Sequence, residues 1–109
     1  MKRHVALLAT SLTLLLSATG VHAQPASKVT IDNYEFQPAE ITVAPGTTVT
    51  WTNAQTDDVH SAVSNDGLWD SDTLDTGKSY QYTFSDPGDF GYYCSQHPDM
   101  QGVVHVSGG

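Results

Sequence analysis

Three side chains that bind soft metals recur at steps of three in one short stretch, Cys94-Ser95-Gln96-His97-Pro98-Asp99-Met100. A single tight loop can turn a thiol, an imidazole and a thioether so spaced inward around one point. Thiolate and thioether donors suit Cu(I), and imidazole suits both oxidation states. Two imidazoles, one thiolate and a weak axial thioether make up a blue-copper ligand set. The stretch lacks one imidazole, and His60 is its expected source, because it follows a strand and its loop and can lie at the same end of a sandwich as Cys94. An ion held rigidly between the geometries its two oxidation states prefer changes charge with little rearrangement, so the chemistry implied is electron transfer. It needs no substrate pocket and no acid or base.

Each residue also has a plainer reading. Cys94 taken alone is a buried core thiol, and Met100 taken alone is core packing. His105 competes with His60, but it sits between Val104 and Val106 and reads as a solvent-facing strand residue. Zinc is the competing metal, yet it seldom uses Met, and structural zinc sites usually draw on more Cys. Trp51 reads as core. Trp69 reads as a sandwich-edge or near-site aromatic, and Asp57 and Asp58 as a solvated loop.

The elements that must position these groups read as strands. Thr47 to Asn53 alternates, with Val49 and Trp51 on one face and Thr48, Thr50 and Thr52 on the other. Tyr80, Tyr82 and Phe84 alternate with Ser79, Gln81 and Thr83 in the same way. Further strands are expected over Val29 to Phe36, Ile41 to Val43, Phe90 to Cys94 and Val103 to Val106. Turn chemistry separates them at Ala44-Pro45-Gly46, Asn65-Asp66-Gly67, Asp75-Thr76-Gly77 and Asp86-Pro87-Gly88. The pattern predicts an all-β sandwich of about seven to eight short strands. Its predicted core is Val49, Trp51, Tyr82, Phe84, Phe90 and Tyr92.

Composition narrows the function classes. The chain has 109 residues, enough for one domain. Its 12 acidic residues face 4 Lys and Arg, which leaves too few cations for a nucleic-acid footprint. One Cys cannot form an intramolecular disulfide. Met1 to Ala23 carries Lys2 and Arg3, then a leucine-rich centre, then small residues, and reads as a secretory leader cleaved after Ala23. That leaves residues 24–109 as the exported domain, with no stable membrane insertion expected. Lys28 and Lys78 are its only basic residues against all 12 acids. The acids serve either to steer a basic redox partner or simply to keep the protein soluble.

With the Cys-x-x-His-x-x-Met spacing, Pro98 after the histidine, and the strands around Phe36-Gln37-Pro38, Ile41-Thr42-Val43 and Val49-Thr50-Trp51-Thr52-Asn53, the chain resembles the cupredoxins of the amicyanin/plastocyanin-like type. The resemblance covers essentially the whole exported domain. It implies a cupredoxin-like Greek-key β-sandwich holding one type 1 copper ion. His60, Cys94 and His97 are then the equatorial ligands and Met100 the axial one. It implies a periplasmic monomer that is not an enzyme and that carries electrons between redox proteins of dehydrogenase or cytochrome type; the alternative is a copper carrier or chaperone. It further implies an apolar patch around a partly exposed His97, and a more remote electron route at Tyr93, which otherwise reads as an exposed strand tyrosine. One position departs from the family pattern. Ser61 follows the first histidine where Asn, which braces the Cys loop, is usual.

The leader carries its own test. Mass spectrometry of the exported protein should give an N-terminus at Gln24; a product retaining Met1 to Ala23 would refute the cleavage.

Overall fold

The computed structural model describes residues 26–108, so the expected leader lies outside the described residues. Eight strands follow in order: β1 (Ala26–Asp32), β2 (Glu35–Gln37), β3 (Glu40–Val43), β4 (Thr47–Asn53), β5 (Val63–Ser64), β6 (Ser79–Phe84), β7 (Gly88–Tyr93) and β8 (Gln101–Val106). They form two four-stranded sheets, β2-β1-β4-β6 and β3-β8-β7-β5. Among the described residues no helix is long and apolar enough to cross a membrane.

β4 shows how pattern becomes position. Its alternation buries Thr47, Val49, Trp51 and Asn53 on one face, the face turned to the other sheet. Its edges pair in parallel with β1 and antiparallel with β6. β3 and β8 form a second parallel pair, and β8 runs antiparallel to β7. Parallel neighbours need crossover connections, and here those crossovers pass between the sheets and tie them together. The glycines of all four expected turns, Gly46, Gly67, Gly77 and Gly88, adopt positive φ.

Three expectations change. The stretch Val29 to Phe36 is not one strand but a hairpin, because Asn33 and Tyr34 both take positive φ, at 52° and 57°. Two successive left-handed residues make the tight turn whose twist matches paired strands. Trp69 is not an edge residue. It is 5% exposed and stacks on Trp51 with ring centroids 5.7 Å apart. Tyr82 and Phe90 only flank the core, half-buried, whereas Val29, Ile31, Phe36, Val43, Leu74, Val104 and Val106 belong to it.

The core is an aromatic cluster centred on Trp51. Tyr92 meets it edge-on at 5.3 Å, and Phe36 meets Tyr92 at 4.7 Å. Trp69 also packs on Tyr82 at 4.8 Å. Each such pair contributes about 0.5–1.5 kcal/mol beyond the area it buries. Burial pushes the Tyr92 hydroxyl up to about 12. Its ring lies across β8 at Gly102, where any Cβ would collide with the phenol. The close approach of β7 and β8 therefore requires glycine there.

On the outer face His105 stands between two acids. Its Nδ1 is 2.7 Å from Asp89 Oδ1 and its Nε2 is 3.1 Å from Glu40 Oε1, so one side chain spans β7, β8 and β3. The hydrogen bond to Asp89, followed by that to Glu40, raises its pKa above the ordinary 6.5. A raised value means that the folded state holds the proton more tightly than the unfolded chain does. The stabilisation is therefore fully present below pH 6.5, down to where the carboxylates protonate, and is lost as pH climbs through the raised value. Thermal melts of His105→Asn should fall below those of the parent protein in mildly acidic buffer and converge with them in alkaline buffer. A gap independent of pH would contradict the bridge.

Candidate metal centre

Two loops meet at one end of the sandwich. The first leaves β4 and is organised by Asn53, which is fully buried. Its Nδ2 donates to the carbonyls of Asp58 (3.0 Å) and Leu74 (2.8 Å), and its Oδ1 accepts from the Gln55 N–H (3.0 Å). His60 is then pinned by a two-way main-chain bridge to Leu74. The second loop starts where β7 ends. Cys94 N–H donates to Met100 O (3.1 Å), His97 N–H to Cys94 O (3.3 Å) and Met100 N–H to His97 O (2.9 Å). These bonds curl the loop so that Cys94 and His97 project to the same side.

The side chains converge there. His60 Nδ1 lies 3.7 Å and His97 Nδ1 3.6 Å from Cys94 Sγ, and one donor atom from each of the three residues lies within 4.8 Å of the others. Donors at about 2.0–2.3 Å from one ion in a trigonal plane stand about 3.6 Å apart, so the residues present fit a metal. Cys94 and His60 are fully buried, while the His97 side chain is 28% exposed.

The far edge of each imidazole is also partnered. His60 Nε2 is 2.8 Å from Gln55 Oε1, and His97 Nε2 is 3.2 Å from Asp58 Oδ2. Both partners are acceptors, which assigns the ring hydrogen to Nε2 in the neutral rings and leaves each Nδ1 lone pair facing Cys94. Burial, and next the neighbouring His97, lower the His60 pKa, which keeps that lone pair free. Asp58 is held below the usual carboxylate range, first by the Val59 N–H and also by the hydroxyl of Tyr34.

Met100, the expected axial residue, closes the second loop and is 7% exposed. It lines a groove of about 480 Å³ with Tyr34, Phe36, Pro38 and Ala39. Ser61 braces the Cys loop. Its Oγ accepts the Ser95 N–H at 2.8 Å and lies 2.8 Å from Ser95 Oγ, and its own N–H points at Cys94 Sγ at 3.4 Å. Tyr93 lies half-buried in β7, paired with Val63 and Gln101. His105 is remote, on the clamp described above.

One expectation is corrected: Asp58 is not merely solvated loop, since it contacts His97. A carboxylate and a phenol stand beside His97: Tyr34 Oη donates to Asp58 Oδ2 at 3.1 Å, and its ring packs edge-on against both imidazoles. Sequence reasoning missed Gln55 and Tyr34. A polar residue five positions before His60 was a weak signal for Gln55, but nothing local pointed to Tyr34.

Comparison with known proteins gives a consistent result. A family model described as a cupredoxin-like domain matches residues 4–106. Amicyanin-alpha of Methylorubrum extorquens is 34% identical, over 93% of this chain and 92% of that protein. The solved structure of a purple cupredoxin from Nitrosopumilus maritimus matches with a TM-score of 0.69 at 34% identity, over 74% of this chain and 99% of that one. A copper-containing nitrite reductase from Thermus scotoductus matches with a TM-score of 0.72 at 29% identity, over 82% of this chain but 24% of that one.

Ser61→Ala removes the acceptor of a part-buried N–H and should cost about 1–3 kcal/mol in urea unfolding of the metal-free protein. An unchanged urea midpoint would show that Ser61 does not brace the loop.

Proposed function

Because the chain belongs to the cupredoxin family, we propose that it is a periplasmic one-electron carrier in which His60, Cys94 and His97 hold one type 1 copper ion and Met100 caps it axially. The observation that carries this reading is the convergence of Cys94 Sγ with two imidazole Nδ1 atoms, at 3.7 and 3.6 Å. Copper bound there supplies a single redox step between Cu(II) and Cu(I), for which this donor mixture is suited.

The chain's own contribution is to hold the donors still. Ser61 ties the two loops through Ser95, and its N–H is directed at the sulfur. The β7–β8 pairing Tyr93↔Gln101 clamps both ends of the second loop. Burial of His60 and Cys94 excludes water from one side of the site, and the part-exposed His97 is the short path to the surface.

A Met100 thioether serving as the fourth ligand would leave no open place for a substrate, which favours a carrier over an enzyme. The likeness to nitrite reductase spans 24% of that chain and supports a shared domain fold rather than that enzyme's activity. The leader supports export to the periplasm. The acidic balance favours a redox partner of dehydrogenase or cytochrome type with a basic docking surface, met by a monomer.

Adding Cu(II) to the purified protein should give an intense blue colour and narrow copper hyperfine splitting in electron spin resonance. A colourless, tetragonal signal would overturn the reading. Cys94→Ser should abolish the colour, and Met100→Gln should shift the reduction potential with copper retained.

A further inference from the structure

Both imidazoles are held from behind, and a single residue ties the two holders together. Gln55 Oε1 takes the His60 Nε2–H (2.8 Å), and Asp58 Oδ2 lies 3.2 Å from His97 Nε2 as a charged contact. The main-chain N–H of Tyr34 donates to the same Gln55 oxygen at 3.0 Å, and its hydroxyl donates to the same Asp58 oxygen at 3.1 Å. Its ring stands 5.5 Å from that of His60 and 5.1 Å from that of His97, edge-on to both. The remaining Asp58 oxygen accepts the Val59 N–H at 2.8 Å, so the carboxylate cannot swing away without breaking two hydrogen bonds and its contact with His97.

Tyr34 is costly where it sits. A non-glycine residue at φ 57° is held in a sparsely populated region, at a cost of order 1–3 kcal/mol, and 45% of its surface stays in water. Core burial does not explain that position. The contacts to both imidazoles and both acceptors do.

We propose that Asp58, Gln55 and Tyr34 are positioning residues for the two histidines, with the Asp58 carboxylate biasing the site toward the oxidised ion and the Tyr34 hydroxyl moderating that bias. The proposal rests on the copper reading above. A carboxylate that accepts the outer N–H of a ligating histidine fixes its tautomer and makes the ring a stronger donor. Its negative charge, one imidazole away, stabilises the more highly charged ion. The hydroxyl of Tyr34 draws on the same oxygen, so removing it leaves more of that charge to His97.

The two predictions therefore have opposite signs. In copper-loaded protein, Asp58→Asn should lower the preference for Cu(II) over Cu(I) about tenfold, which is a rise of about 59 mV for a one-electron couple. Tyr34→Phe keeps the ring and the carboxylate and should move the potential the other way. Shifts of the same sign in both variants would mean general loosening and overturn the proposal, as would a potential unchanged in Asp58→Asn. A second measurement needs no copper. Nitrogen-15 NMR of the metal-free protein should find neutral His97 protonated at Nε2 in the parent protein and a mixture of tautomers in Asp58→Asn. A mixture already present in the parent would overturn the assignment. If the parent protein forms no blue site, the copper reading falls by itself, and the tautomer decides the hydrogen-bond assignment separately.

Discussion

Everything at the site depends on the closure of one loop between two paired strands. Tyr93 and Gln101 face each other at the end of the β7–β8 ladder, so the chain from Cys94 to Met100 must leave and return at a fixed separation. The nested main-chain bonds Cys94–His97, His97–Met100 and Met100–Cys94 use up that short path. A strand register error of one residue would turn every side chain to the other face and scatter the donors. The packing of Tyr92 over Gly102 guards that register, since no other residue fits beneath the phenol.

The aromatic core links this loop to the rest of the sandwich. Tyr92, two positions before Cys94, packs on Trp51 of β4 and Phe36 of β2. Trp51 lies two positions before Asn53, whose side chain arranges the loop that carries His60. The two halves of the donor set are thus anchored to one rigid cluster, and the distance between them is set by how the sheets pack rather than by either loop alone. Protein interiors are dense enough to transmit such a constraint. A site that changes charge without changing shape, as proposed here, would benefit from that stiffness.

Charge is placed less evenly than its total implies. Asp57 and Asp58 on the His60 loop, Asp32 and Glu35 on the β1–β2 hairpin and Asp99 on the Cys94 loop belong to the segments that border the site. One of these acids, Asp58, is in direct contact with an imidazole. Acidity that keeps a protein soluble can sit anywhere, whereas acidity at the exposed edge of His97 acts on the site itself and on whatever approaches it. The clamp at His105 uses two more acids, Asp89 and Glu40, for a different purpose, stapling three strands on the outer face.

The sequence by itself determined what runs along a single strand or loop. The alternation of β4 and β6, the four glycine turns and the Cys-x-x-His-x-x-Met spacing were all legible, because side-chain direction in a strand and reversal at a turn follow from local backbone geometry. His60 was legible only through topology and family resemblance. The tertiary structure alone decided that Trp69 enters the core, that Asn33 and Tyr34 break one expected strand into a hairpin, and that Tyr34 reaches across to Asp58 and Gln55. Those contacts join segments more than twenty positions apart. No local pattern encodes them, because they exist only once many weak packing contributions have brought the hairpin and both loops to the same end of the sandwich.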